Sequence, residues 1–273
     1  MFDRLRSFVP VRVRRQWRRM IDTEFRAHRE EIERLQELPR RISTTTDVLG
    51  PPTHLVDAAS FLSAYRAIFK QEIYKFDLEQ HPPRILDGGA NIGLATLYWK
   101  QQFPNAEITA FEPDPEIFET LKRNVEQHGW DDVELVQKGL WSETGKLEFR
   151  PDGADGGQMA SVADGEVNRD VVPVTRLIPY LDDRIDMLKL DIEGAEVEVL
   201  LDVAGHLGSV RNLFVEHHSY IGEEQRVDEI LQVLREAGFR IHIQPELVAD
   251  RPFVQRLESY GMDHRLNIFA YRK

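Results

Sequence analysis

Apolar residues recur at helical spacing in the first quarter of the chain and in short runs between charged helical stretches thereafter. From Val13 to about Leu38, Ile21, Phe25, His28, Ile32 and Leu35 fall at steps of four and three with charges between them, the stripe of an amphipathic helix. Pro39 predicts its end. The segment Thr44–Thr53, with Gly50, Pro51 and Pro52, reads as a linker or turn. A second helical stretch runs from Ala58 to about Tyr74, with Phe61, Leu62, Tyr65, Ile68 and Phe69 on its apolar face. After His81-Pro82-Pro83 the pattern becomes strand, helix, strand. Strands are predicted at Arg84–Asp87, Glu107–Glu112, Val133–Gln137, Met187–Asp191, Asn212–Glu216, Arg240–Gln244 and Asn267–Tyr271, with a hairpin through Lys146–Arg150. Helices are predicted at Gly93–Phe103, Pro115–His128 and Val227–Ala237. This alternation specifies an α/β domain with a mostly parallel, doubly wound sheet. Residues 1–50 form a helical extension and 51–273 the larger domain, in which Pro151–Arg169, rich in Gly, Asp and Ala, reads as a long loop or lid.

Composition narrows the chemistry. The 273 residues contain no cysteine, which excludes disulfides, thiolate metal sites and cysteine nucleophiles. The Arg-rich start lacks the apolar core of a secretory signal, and no run is long enough to span a bilayer, so a cytoplasmic protein is expected. The net charge of −12 is uneven: +5 over residues 1–41 and −17 over the rest. The acidic body repels phosphate backbones and argues against a nucleic-acid substrate. The basic arm is either a solvated face, a peripheral membrane contact or, through its apolar stripe, a homodimer contact.

The segment Ile85-Leu86-Asp87-Gly88-Gly89-Ala90-Asn91-Ile92-Gly93 lies where a strand gives way to a helix, the place where open parallel sheets bind ligands. Gly89 permits a tight turn and a close backbone approach, Asn91 tolerates positive φ, and Gly93 lets the helix start lie close to the strand. Nineteen residues after Gly93, Glu112 closes the next strand in Phe111-Glu112-Pro113-Asp114, where a carboxylate can accept both ribose hydroxyls of a nucleoside. Asp114 and Pro115 suit the start of the following helix. A dinucleotide site normally carries Gly-x-Gly-x-x-Gly. Here Asp87 ends the strand and Asn91 replaces a glycine; an acid at position 87 repels a pyrophosphate but suits the ammonium end of a methionine. The pattern therefore favours S-adenosylmethionine over NAD, leaving an NAD-dependent oxidoreductase or a non-catalytic nucleoside-binding module as the alternatives.

Asp87 to Gly93, Phe111-Glu112-Pro113-Asp114, Leu188-Lys189-Leu190-Asp191-Ile192-Glu193-Gly194-Ala195-Glu196 and Phe214-Val215-Glu216-His217-His218-Ser219 together resemble the signature blocks of FkbM-type methyltransferases. The resemblance spans roughly Arg84 to Gln244. It implies a Rossmann-like class I methyltransferase fold with sheet order 3-2-1-4-5-7-6 and an antiparallel seventh strand, and O-methylation of sugars, glycosylated acceptors or natural-product hydroxyls. It further implies that Asp87, Gly88, Gly89, Ala90, Asn91 and Gly93 surround the methionine part of the cofactor, with Glu112 and Pro113 at the ribose. Gly139, Leu140 and Trp141 would flank the adenine, Trp141 either stacking on the ring or filling the core.

A hydroxyl is a weak nucleophile and needs a base or a metal. Asp191, Glu216, His218 and Lys189 are the candidate catalytic groups, at the ends of the fourth and fifth strands. Lys189 and Asp191 share a face, as do Glu216 and His218. Either His218 or Asp191 takes the proton, with Glu216 orienting the histidine, or Asp191, Glu216 and His218 hold a divalent cation such as Mg²⁺ or Mn²⁺. Lys189 and Asp191 also read as a structural ion pair. Glu193 and Glu196 open the next helix, where its N-terminal dipole accounts for them. His217 faces away and reads as structural or solvent-exposed. The acceptor would be a small molecule, a sugar or, given the basic arm, a glycolipid.

Overall fold

In a computed structural model of the chain, described for residues 11–78, 81–151, 157–159, 170–246, 248–254 and 261–272, the residues fall into two compact units, 1–63 and 64–273. The first unit holds helix α1 (Val11–Gln36), strands β1 (Thr44–Thr46) and β2 (Thr53–Leu55), and most of helix α2 (Ala58–Tyr65). Of the predicted α1 stripe, Leu35 is buried and Phe25 is exposed. The stretch read as a linker is an antiparallel hairpin, Thr44 facing Leu55 and Thr46 facing Thr53, with Gly50, Pro51 and Pro52 in its turn. Asp57 starts α2: its carboxylate accepts the Ser60 N–H and the Arg40 guanidinium. Burial alone would raise the pKa of Asp57, but these donors and the Arg41 N–H lower it to about 2. The predicted helix does not run to Tyr74. It ends in one wide turn over Arg66–Lys70, closed by the Gln71 N–H on the Arg66 carbonyl, followed by Glu72 at φ +54°.

The second unit is built on a seven-stranded sheet of β3 (Arg84–Gly88), β4 (Glu107–Phe111), β5 (Val133–Val136), β10 (Ile185–Leu190), β11 (Val210–Tyr220), β12 (Arg240–Pro245) and β13 (Met262–Tyr271). Their spatial order is β12-β13-β11-β10-β3-β4-β5. The five strands from β11 to β5 are parallel, and β13 runs antiparallel to both β11 and β12. Alternation divides the strands between two faces. Leu86, Phe111, Leu188, Leu190, Leu213 and Val215 face the main apolar core with Val199 and Leu200 of α5 (Glu196–Val203) and Ile230 and Leu234 of α6 (Val227–Glu236). On the other side Ala110 packs with Phe118, Leu121 and Val125 of α4 (Pro115–Glu126). Helix α3 (Leu94–Gln102) is buried along most of its length.

A second, four-stranded sheet joins β6 (Gly139–Leu140), β7 (Gly145–Pro151), β8 (Gly157–Met159) and β9 (Asp170–Thr175) in the order β6-β9-β7-β8. The expected hairpin is the β7–β8 pair. Of the expected lid, residues 152–156 and 160–169 lie outside the described residues, while 157–159 form a strand rather than a loop. Among the described residues no helix is long and apolar enough to cross a membrane.

The turn after β3 fixes where the strand ends meet. At Gly89, φ is +74°, and a Cβ there would sit 1.8 Å from the Asp191 carbonyl oxygen. Gly89→Ala is therefore expected to destabilise the protein by more than about 2 kcal/mol, through strain and a displaced β10 exit. Thermal denaturation of the variant checks this; a midpoint equal to the wild type's would show that the backbone yields without cost.

Candidate functional site

The turn Gly88–Gly93 is pinned by the end of β4 and by α4. The Gly89 and Ala90 N–H groups donate to the Phe111 carbonyl at 3.1 and 2.8 Å, tying the turn to the end of β4. Asn124 of α4 donates to the Ile92 carbonyl at 2.9 Å. Asn91 has φ +51° and Gly93 φ +89°, the left-handed geometry for which their residue types are suited. A Cβ at Gly93 would press on Leu121 at 2.7 Å, so helix α3 starts hard against α4.

Glu112 faces this turn. Its Oε2 accepts the Asn91 N–H at 3.0 Å and its Oε1 the Asp114 N–H at 2.9 Å. Each oxygen keeps a second lone pair, so the carboxylate can still accept a ribose diol. Burial raises its pKa to about 7, against the lowering effect of the two backbone donors. Asp114 caps α4 through the Glu116 and Ile117 N–H groups, with Pro115 as the first helical residue, as the sequence predicts. Pro113 is half-buried between them.

Lys189 is buried in the central strand. Its Nζ donates to the Gly88 and Gly89 carbonyls at 3.1 and 2.8 Å and lies 3.3 Å from Asp87 Oδ1 and 3.5 Å from Asp191 Oδ2. Desolvation lowers its pKa, but Asp191 and Asp87 outweigh this and keep the ammonium charged. Of the two sequence readings for this lysine, the geometry matches the structural pair: it positions the turn and is enclosed by partners. Asp87 is fully buried, and its other oxygen accepts the Thr96 hydroxyl at 3.0 Å.

Gly139 and Leu140 are buried in β6, where Leu140 lies over the end of β3; a Cβ on Gly88 would meet its Cδ1 at 2.8 Å. Trp141 is half-buried against the main apolar core. That contact matches the core reading of its ring.

At the exits of β10 and β11 the acidic groups converge on His218. Its Nδ1 lies 3.1 Å from Glu196 Oε1, and its Nε2 lies 3.5 Å from Glu193 Oε2 and 3.6 Å from Glu216 Oε1. Burial pulls the His218 pKa down, but Glu193 and Glu196 push it well above the ordinary histidine value. Glu193 is shifted upward by its own burial and by Asp191, and Glu216 likewise by burial and Asp191. Glu216 is also held by Arg265, at 3.3 Å.

The structure thus brings Asp191, Glu216 and His218 to one edge and adds two residues that the sequence reading assigned to a helix dipole. Glu196 is buried and turned inward, accepting from the Ile192 and Gly194 N–H groups as well as from His218. Glu193 sits before the helix at φ +54°, which swings its carboxylate toward His218 and Tyr220. Among the described residues, the set with ligand atoms within 4.8 Å of one another is Asp191, Glu193 and His218, so Glu193 stands where Glu216 is expected. His217 is not solvent-exposed: it is buried, and burial lowers its pKa.

Residues 87–241 match the family model of the methyltransferase FkbM domain, covering more than half of the chain. The chain belongs to the FkbM methyltransferase family. It is therefore an S-adenosylmethionine-dependent methyltransferase. Methyltransferase sdnD of Sordaria araneosa is 32% identical over 213 residues, 65% of this chain and 81% of that protein. The hexuronic acid methyltransferase AglP of Haloferax volcanii is 27% identical, over 68% of this chain and 75% of its own. The 31-O-demethyl-FK506 methyltransferase FkbM of Streptomyces tacrolimicus is 26% identical, over 68% and 84%.

The raised pKa of Glu112 gives a signed expectation. Between about 4.5 and 7 the folded state holds a proton that the unfolded chain has released, so this group makes stability fall as pH rises through that window. In Glu112→Gln that part of the fall, about 2 kcal/mol between pH 5 and 8, is absent, whatever constant offset the substitution adds. Denaturant titrations of both proteins at the two pH values measure it; identical pH slopes would mean Glu112 stays ionised throughout.

Proposed function

We propose that this methyltransferase acts on a hydroxyl group, carried by a sugar or by a glycosylated or other natural product. The single observation that carries the reading is the convergence of Asp191, Glu193, Glu216 and His218 beside the cofactor turn, which gives a weak oxygen nucleophile the groups it needs. The name of one relative, a 31-O-demethyl-FK506 methyltransferase, points to transfer onto an oxygen, and that of another, a hexuronic acid methyltransferase, to a sugar acid as acceptor.

S-adenosylmethionine supplies an activated methyl group, so the protein has only to place the acceptor and remove its proton. In this reading Gly88, Gly89, Ala90, Asn91 and Gly93 line the methionine side, Glu112 and Pro113 hold the ribose, and Leu140 lies by the adenine, while Asp87, buried behind the turn, steadies it through Lys189 and Thr96. His218 is a poor base, because the surrounding carboxylates hold it as an imidazolium. Glu216 is the better one. Its affinity for a proton is raised by burial, it remains partly exposed, and Arg265 steadies it. Lys189 acts through the backbone of the turn as a positioning residue.

Calorimetric titration with S-adenosylhomocysteine tests the cofactor half. Micromolar binding is expected, weakened about tenfold or more in Glu112→Ala, since hydrogen bonds to a charged acceptor contribute about 1.5–3 kcal/mol. NAD, titrated in parallel, is expected not to bind; the opposite ranking of the two ligands would end the methyltransferase reading of this site. For the chemistry, Glu216→Gln is expected to lower the turnover of a hydroxyl acceptor by about 10²–10⁴ while leaving S-adenosylhomocysteine affinity unchanged. Single-turnover methyl transfer in the variant at the wild-type rate would remove Glu216 from the role of base.

A further inference from the structure

The two nitrogens of His218 have unlike surroundings. Nδ1 meets Glu196 Oε1, a buried oxygen already engaged by the Ile192 and Gly194 N–H groups, so the ring is held in one orientation. Nε2, on a side chain only 1% exposed, points into the carboxylates of Glu193 and Glu216 at 3.5 and 3.6 Å, too far for a good hydrogen bond. Two of its neighbours, Asp191 and Glu193, bring oxygens within 4.8 Å of it and of each other.

Lys189, Arg265 and Tyr220 border the cluster. Lys189 lies by one oxygen of Asp191, Oδ2, at 3.5 Å. Arg265 lies 3.3 Å from Glu216 Oε1, the oxygen that faces His218, so Glu216, unlike the other two carboxylates, is paired with an arginine there. Tyr220 lies 3.4 Å from Glu193 Oε2 and closes the outer wall. What remains is two carboxylates and an imidazole nitrogen whose opposite nitrogen is fixed by a buried carboxylate. Proteins that ligate a metal through histidine use this two-shell pattern: the outer carboxylate sets the ring's tautomer and aim.

We propose that Asp191, Glu193 and His218 bind one divalent cation of the Mn²⁺ type, which displaces the Nε2 proton of His218, with Glu196 as the positioning residue behind the histidine. A mixed oxygen and nitrogen donor set suits such an ion better than Ca²⁺, which prefers oxygen alone. The assignment rests on the hydroxyl-acceptor reading for its purpose: such a cation would polarise the acceptor hydroxyl and lower its pKa, and Glu216, outside the ligand set, would remain the base.

Mn²⁺ binding to the full-length, chelator-treated protein, followed by electron paramagnetic resonance of the free ion, tests it. One equivalent is expected to bind. Glu193→Gln and Glu196→Gln should each weaken binding about tenfold or more. Glu107→Gln, on an exposed residue at the start of β4, away from the strand exits, should leave it unchanged. S-adenosylhomocysteine titrations of the same samples show that each variant is folded and separate the two readings. Normal S-adenosylhomocysteine binding with no saturable Mn²⁺ site, or with Glu193→Gln binding Mn²⁺ like the wild type, overturns the cation site and leaves the methyltransferase intact. A Mn²⁺ site lost in Glu193→Gln in a protein that does not take S-adenosylhomocysteine supports the cation site and removes its stated purpose.

Discussion

The arrangement of this site depends on one buried ammonium. Lys189 stands in the central strand of the sheet, directly beside Asp87 in the register of the parallel pair, with its charge removed from water. Burial of an unpaired charge would cost several kcal/mol, so the lysine holds its place only with partners on every side. Those partners are the carboxylates of Asp87 and Asp191 and the carbonyls of Gly88 and Gly89. The same contacts that solvate the lysine therefore stitch the glycine turn to the exit of the neighbouring strand. Close approach is built into the stitch: Gly89 sits so near the Asp191 carbonyl that no other residue fits there without moving the backbone. Sequence choice at position 89 and burial at position 189 are two sides of one constraint.

Asp191 carries that constraint to the other half of the site. One of its oxygens is shared with Lys189, and the residue also belongs to the group around His218. Burial, with Asp191 beside them, makes Glu193 and Glu216 hold protons more tightly than usual, while Glu193 and Glu196 keep the proton on His218 against its own burial. Such crowding is stable only because each member has a second tie: Glu216 to Arg265, Glu196 to two backbone N–H groups, Glu193 to Tyr220. A positive charge brought to this edge lowers the repulsion. That holds equally for a sulfonium and for a metal ion.

What the sequence makes legible here is whatever follows from local order along the chain. The turn with Asn91 at positive φ, the acid closing the second strand and the Asp114–Pro115 helix start are all written within a few residues of where they act. The period-two and helical patterns likewise give the parallel sheet. Features set by pairing across long separations are less visible. The four-stranded second sheet depends on β6 meeting β9, more than thirty residues later, and nothing local marks that partnership. Glu193 and Glu196 look like ordinary acids at a helix start until the left-handed backbone at Glu193 and Gly194 turns them toward a histidine more than twenty residues away. The hairpin at Thr44–Leu55 was hidden by its own Gly-Pro-Pro turn, which reads the same in a linker.

Glu112 shows what function asks of such a fold. Both of its oxygens are occupied by backbone N–H groups in the absence of a nucleoside, so it supports the turn, yet burial still lifts its pKa to about 7. A neutral amide of the same shape would offer one acceptor to those two donors and would leave a ribose diol without a charged one, and charge-assisted hydrogen bonds are the strong ones. The desolvation of this carboxylate is thus a local cost that the rest of the fold carries. The wide apolar core between the sheet and helices α5 and α6 offsets it. The same reasoning applies to Asp87, Lys189 and the carboxylates around His218. The charges a packed sheet would be most stable without are gathered at one end of its strands, and that gathering, more than the fold itself, marks this chain as an enzyme.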